Sequence, residues 1–409
     1  MLDRHQSCGG SHDELIYLSL GESWEGPPAA LREALGRVAP YEHGYILTPY
    51  GLPALQDALR TYIPATHGLD PRGLHRDYDV AVSQSSTRSA MFDFGRLLRL
   101  KRPEGRPVLV CSTPGWDYPG VYASPSLGFE VRRFTLPPEH GYQPEVAEVA
   151  EILRRARRDT DGPVLLAINA QHNPTGADWS PQTVRAMIRA ALATGACLLL
   201  DDAYYAVHAP GTTPTSAPAI LLDELAALPE GDRPLWLGVR SLGKQFRCNG
   251  WGIGAATAAP ATLEALAQLL TERSYVTAVP AQAAMAAWLA DDACDAYLEA
   301  QRAAYEARRR QSVRLLADVL GYPPHGYVAG RCGAYLLARI PPAFDVPGTD
   351  FRELVLRRCG VLLGEAHMSS PGTARNASGS RIRVYLGGGA ADLDEAITRM
   401  AKEGLMWDA

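Results

Sequence analysis

Lysine is nearly missing from this sequence of 409 residues. Among 40 basic residues it occurs only at positions 101, 244 and 402, so arginine carries almost all the positive charge. Lys101 ("RLKRPEG") and Lys402 ("MAKEG") stand in charged surroundings and read as solvated ends of flexible stems. Lys244 stands among glycines and apolar residues in "RSLGKQFRCNGWGIG". A buried lysine amine can lose its proton and attack a carbonyl, which a guanidinium cannot do. Other shortages exclude whole classes. Seven cysteines, an odd number with no CxxC pair, read as buried or incidental thiols in a reducing compartment, and no metal ligand set is expected. A net charge of −5 leaves no bulk basic footprint for nucleic acid. No run reaches the roughly 18 apolar residues of a membrane span, and "MLDRHQSCGGSHDELIY" lacks a signal-peptide core. The expectation is a cytoplasmic protein that binds neither nucleic acid nor membrane.

What is present suits a large globular enzyme. The chain is 46% hydrophobic and 21% charged, long enough for two or three domain-sized units. Short apolar runs, "RPVLVCST" (106–113), "GPVLLAIN" (162–169), "ACLLLDDAYY" (196–205) and "PLWLGVRS" (234–241), read as buried strands. Helical patterns at 144–159 and 180–195 separate them. This alternation argues an α/β fold with a mostly parallel sheet flanked by helices. After residue 300 a long helix (299–320) leads into "GAYLLARI", "GVLLGE" and "SRIRVYL", then a closing helix. These runs suggest a smaller α+β domain built from both chain ends. The expected division is 1–50 as an N-terminal arm with part of the small domain, 51–298 as the large domain, and 299–409 as the rest of the small one. Amphipathic helices are expected at 28–41 and after the turn-rich start of 42–63, and a loop at 369–380.

Ligands of such sheets gather at the carboxyl ends of strands, and polar clusters stand there. In "VSQSSTRSAM", Ser85, Ser86 and Thr87 open a helix; they serve as caps or hold a phosphate with backbone N–H groups and the helix dipole. Trp116, in a turn after a strand, either packs or stacks on a flat ring. Asn173 in "QHNPTG" belongs to a turn or donates its amide to a ring hydroxyl. Asp201 caps a strand end or, if buried, needs a cationic partner such as a protonated pyridine nitrogen. Tyr204 follows three residues later. Phosphate, ring, ring hydroxyl, ring nitrogen and an aldehyde awaiting an amine converge on pyridoxal 5′-phosphate, with Lys244 forming the Schiff base.

Over essentially its full length the chain resembles the class I/II aminotransferases, fold-type I pyridoxal-phosphate enzymes. Asn-Pro-Thr-Gly stands at 173–176, Asp-x-x-Tyr at Asp201 and Tyr204, Ser-x-x-Lys at Ser241 and Lys244, and the following glycines at 250 and 254. The resemblance implies catalytic roles for Lys244, Asp201 and Tyr204. It places Ser85, Ser86, Thr87, Trp116, Asn173 and Ser241 on the cofactor. It also implies a homodimer in which a tyrosine, Tyr45 or alternatively Tyr50, reaches the partner's cofactor phosphate. Arg383 rather than Arg381 is the counterpart of the arginine that grips an amino-acid carboxylate. Glu22, His43, Glu365 and His367 lie in segments like the family's pocket loops. Two departures stand out: Gly252 replaces the arginine of Gly-x-Arg-x-Gly, leaving Arg240 or Arg247 as substitutes, and Gly243 replaces a small hydroxyl residue. The implied activity is transamination of an amino acid. Its rival is another fate of the same α-carbanion: elimination, replacement, cyclisation or carbon–carbon bond formation, for instance on a sulfonium amino acid such as S-adenosylmethionine, or oxidation by O₂. A non-catalytic cofactor-sensing module is the third reading.

Overall fold

The computed structural model describes residues 15–19, 26–272, 274–346, 350–366 and 381–408. Two sheets organise it. The strands are β1 (Ile16–Leu18), β2 (Asp79–Gln84), β3 (Val108–Thr113), β4 (Glu130–Thr135), β5 (Val164–Ile168), β6 (Cys197–Asp201), β7 (Trp236–Ser241), β8 (Ile253–Ala258), β9 (Tyr327–Val328), β10 (Tyr335–Arg339), β11 (Val361–Glu365) and β12 (Arg381–Tyr385). The larger sheet has seven strands in the order β2-β8-β7-β6-β5-β3-β4. All its pairings are parallel except the two made by β8, so the expected mostly parallel sheet is present.

Its central strands read as continuous apolar runs because both faces are covered. Alternate residues go to opposite cores: Val108, Val110, Leu166, Leu198 and Leu200 to one, and Leu109, Cys111, Leu165, Leu199 and Leu237 to the other. The helix Ala29–Leu35 packs on Val279–Leu289, placing Leu31 in the first of these cores. It stops well short of residue 41, because Gly36 closes it and Pro40 begins a separate 3-10 turn.

The smaller sheet runs β1-β11-β12-β10-β9 and joins both chain ends. It has its own core, to which Leu18, Tyr335, Leu363, Ile382 and Leu393 contribute. The helix Ala293–Asp318 packs on the closing helix Ala390–Lys402. The 369–380 loop, Glu22 and His367 lie outside the described residues.

Candidate active site

Asp201 ends β6 with its side chain buried. One carboxylate oxygen accepts the Tyr118 hydroxyl at 2.7 Å, and the other accepts Ala203 N–H at 3.2 Å. Burial raises its pKa above the usual carboxylate range, while these two donors oppose the rise. Burial and the adjacent carboxylate hold the Tyr118 phenol well above its ordinary pKa, so Tyr118 remains a donor. A cation at this carboxylate would add the charge partner that burial demands. Tyr118 escaped the sequence reading: its partner is 83 residues away, and in "GWDYPG" it looks like a turn residue. Replacing Tyr118 with Phe removes one charge-assisted hydrogen bond, so kcat should fall about tenfold. The Asp201 pKa should rise, moving the acid limb of the pH–rate profile upward; an unmoved limb would give Tyr118 a packing role only.

Asn173 lies beyond β5 in a turn tied inward at several points. Its N–H donates to Asn169 Oδ1 at 2.8 Å, and Asn169 Nδ2 donates to Asp201 O at 2.6 Å. His172 braces the same turn, with Nδ1 2.8 Å from Thr175 Oγ1, Nε2 3.1 Å from Ser112 Oγ and its ring stacked on Trp179. Burial lowers the His172 pKa to about 3, so it is neutral. Arg383, almost fully buried on β12, donates from Nη1 to Asn173 Oδ1 at 3.1 Å and from Nη2 to Ser19 O at 3.1 Å. Its guanidinium lies 4.1 Å from the centre of the Tyr335 ring, and the Tyr335 hydroxyl meets that of Tyr204 at 2.7 Å. Thus Asn173, Tyr204 and Arg383 form one buried group, with Tyr335 as a member the sequence did not signal. Gly364 makes room for it: a Cβ there would stand 3.0 Å from Arg383 Nε and 2.8 Å from Ser19 O. Arg381 instead lies over the Tyr142 ring.

The expected phosphate residues meet at the ends of β2, β7 and β8. Gly254 pairs with Ser83 on one side and Ser241 on the other; a Cβ on it would stand 3.2 Å from Thr87 Cγ2 and 2.6 Å from Arg240 O. Ser85 and Ser86 both have positive φ, and Ser86 N–H donates to Gly252 O at 2.6 Å. Gly252 is itself left-handed at φ +63°, a conformation that an arginine enters only with strain. Ser241 Oγ accepts the Lys244 N–H at 3.4 Å, capping the short helix Leu242–Phe246 that carries the lysine. Trp116 is held by Arg88, whose guanidinium lies 4.7 Å from the indole ring centre and 3.2 Å from Asp117.

Arg240 does not supply the missing arginine. Side chains alternate along a strand, and Arg240 leaves β7 toward a buried cluster, donating to Thr66 Oγ1 at 2.7 Å and Gln245 Oε1 at 3.1 Å. Arg247, left-handed at the end of the lysine helix, acts electrostatically on Tyr297, Tyr305 and Tyr385. The cluster around Arg240 holds Asp202, whose pKa burial and neighbouring Asp201 push up to about 8, and His67, 3.9 Å from it. The fold thus holds the Asp202 proton more tightly than the unfolded chain does. Stability from this group is fully present below the ordinary aspartate value of 3.8 and is lost as pH rises from there through about 8. Asp202→Asn should therefore flatten melting temperature against pH, gaining about 3 °C at pH 8.5 and little at pH 5; an unchanged profile in thermal scans would place the pH response elsewhere.

Tyr45 is 82% exposed, with its ring 5.5 Å from that of exposed Tyr275. Tyr50 is held inward, its carbonyl accepting Val82 N–H at 2.9 Å. His43 is exposed, and Glu365 pairs with Arg352 at 2.6 Å. Val279, Met285 and Trp288 of the helix Val279–Leu289 are core residues.

A buried carboxylate at one strand end, an amide and hydroxyls at others, a lysine on a capped turn and a cradle too close for side chains fit pyridoxal phosphate. The comparisons agree. The family model for aminotransferase class I and II matches residues 15–400. Among curated relatives, the Bacillus subtilis L-glutamine–4-(methylsulfanyl)-2-oxobutanoate aminotransferase is 25% identical over 70% of this chain and 67% of its own length. The Streptomyces rimosus 4-dedimethylamino-4-oxo-anhydrotetracycline transaminase OxyQ is 29% identical over 73% and 72%. Solved structures share the fold: a Thermus thermophilus aspartate aminotransferase mutant (TM-score 0.77, 24% identity, 98% and 94% coverage) and substrate-bound BacF from Bacillus subtilis (0.79, 20%, 100% and 94%). The chain belongs to the class I and II aminotransferases, pyridoxal-phosphate enzymes of fold type I that act on amino acids.

Proposed function

We propose that this aminotransferase reads its amino-acid substrate mainly through the α-carboxylate and α-amino group, at a site shared between two protomers. The observation that carries the proposal is the 3.1 Å bond from Arg383 Nη1 to Asn173 Oδ1, which ties a buried cationic fork to the cofactor turn. Pyridoxal phosphate, when bound, supplies an electron sink for the substrate α-carbon and a carrier for its amino group.

The chain's own residues do the rest. Arg383 takes the carboxylate in a bidentate grip that a planar fork favours. Lys244 would hold the cofactor aldehyde, and its free amine would serve as the base that moves the substrate α-proton. Asp201, oriented by Tyr118 and Ala203, keeps a proton on the ring nitrogen. Tyr204 and Asn173 would hold the ring hydroxyl, and Trp116, steadied by Arg88, would cover the ring plane. Ser85, Ser86, Thr87 and Ser241 supply neutral donors to the phosphate, with Gly252 leaving the cup without its usual arginine. Residues 51–298 carry the cofactor side, and 299–409 with part of 1–50 the carboxylate-binding side.

Exposed Tyr45 and Tyr275, beside Tyr41 at 73% and Leu47 at 74% exposure, support a homodimer in which Tyr45 reaches the partner's phosphate. Among the described residues no helix is long and apolar enough to cross a membrane, and the six described cysteines are free thiols; the proposed setting is the cytoplasm. By their names, the two curated relatives act on glutamine with a keto acid and on an oxo-anhydrotetracycline.

A panel of single amino acids, and the same acids as methyl esters, tests this. Esters should lose about 10²-fold or more in kcat/KM, and Arg383→Gln should erase the difference between acid and ester; an ester accepted as well as its acid would end the assignment. Tyr45→Ala should leave each chain folded but loosen the cofactor about tenfold in fluorescence titration. Unchanged affinity would remove Tyr45 from the shared site.

A further inference from the structure

A cleft of about 940 Å³ lies between the helix Ala293–Asp318, the segment at Ala209–Thr212 and the loop at Ala329–Arg331. Its charge is one-sided. Arg309, Arg310, Arg314 and Arg331 line it, against the single carboxylate of Glu306. Glu306 is already engaged, by Arg309 at 3.0 Å and Arg310 at 2.8 Å. Arg309 is buried and holds the loop at two points, donating to Ala329 O and Gly333 O, both at 3.1 Å.

Arg314 and Arg331 are different. Both are exposed, and among the described residues neither guanidinium makes a hydrogen bond or ion pair. Asp178, whose field reaches Arg331, gives its oxygens to Gln171 Nε2 at 2.9 Å and Thr215 N–H at 3.3 Å. Two exposed arginine forks with no carboxylate in hydrogen-bond or ion-pair contact, at a concave surface lined mostly by arginine, suit a ligand with more than one oxyanion.

The loop also leads to the active site. The N–H groups of Arg331 and Cys332 both donate to Gly176 O, at 2.7 and 2.9 Å. Gly330, at φ +68°, passes so close that a Cβ on it would stand 2.5 Å from the same oxygen. Gly176 closes the turn that carries Asn173, and the loop continues to Tyr335 at the start of β10, against Arg383 and Tyr204. We propose that this cleft binds a small polyanion, phosphate-bearing or polycarboxylate, through Arg314 and Arg331, and that its occupant bears on the Asn173–Gly176 turn. The binding site stands whether or not the substrate reading above holds.

Calorimetric titration of the holoenzyme with inorganic pyrophosphate and with citrate tests it, against the double variant Arg314→Gln/Arg331→Gln. Wild type should bind at least one of the two, more weakly as salt is raised, and the double variant at least tenfold more weakly with its melting temperature and turnover unchanged. Tighter binding of pyrophosphate would assign a phosphate-bearing ligand, and tighter binding of citrate a polycarboxylate. Equal affinities in the two proteins, or no binding of either probe, would overturn the site. Saturating probe should also shift the bound cofactor's visible absorbance in wild type but not in the variant; binding with an unmoved band would overturn the link to the turn.

Discussion

Lys244→Ala should reduce transamination by about 10⁴-fold or more while leaving the chain folded. In the proposed reading the lysine serves both as the cofactor's covalent anchor and as the base that moves the α-proton, so one truncation would remove two functions. Its backbone N–H caps on Ser241 Oγ whatever the side chain, and alanine suits a helix, so the turn should survive. The variant, supplied with pyridoxal phosphate, should show no visible band of lysine-bound cofactor. Added methylamine should return part of the activity, because it replaces the base without the tether. Lys101→Ala and Lys402→Ala should be silent.

Asp201→Asn should cost about 10²- to 10³-fold in kcat. The amide preserves shape and still accepts from Tyr118, but it cannot hold a proton on the ring nitrogen. The loss should therefore fall on the proton-abstraction step, read as an increased isotope effect with α-deuterated substrate, and cofactor affinity should also weaken. A variant with normal kcat and a normal isotope effect would mean that the buried carboxylate at the end of β6 serves the fold and not the chemistry. Tyr118 provides an internal control: Tyr118→Phe acts on the same carboxylate, so the two changes combined should cost less than the product of the single effects.

The sequence displays those parts of the fold that local physics dictates. Central strands β3, β5, β6 and β7 are apolar on both faces and stood out as runs. Edge strand β4 did not, because Glu130, Arg132 and Arg133 interrupt it; Arg132 pairs with Glu130 and Asp159, both at 2.8 Å. Strand β8, "IGAATA", was also hidden. It is built of small residues because Gly254 abuts Arg240 O, and alanine and glycine carry little strand signal. The site was legible where its residues sit in short motifs at strand ends. It was illegible where a contact joins distant segments: Arg383 and Asn173 are 210 residues apart, and Tyr204 and Tyr335 131 apart. Arg240 shows the limit most plainly. Its neighbourhood in the chain suggested the phosphate, but strand alternation sends it into the Asp202–His67 cluster.

The most direct test of the whole account follows the amino group itself. Purified holoenzyme is mixed with an ¹⁵N-labelled amino acid in a single turnover, and the released cofactor and product are weighed by mass spectrometry. The account predicts that ¹⁵N appears on the aminated cofactor, one label per keto acid formed, and that a second keto acid then removes it. Release of labelled ammonia or loss of a substrate side-chain group, with the cofactor returned unlabelled, would contradict it.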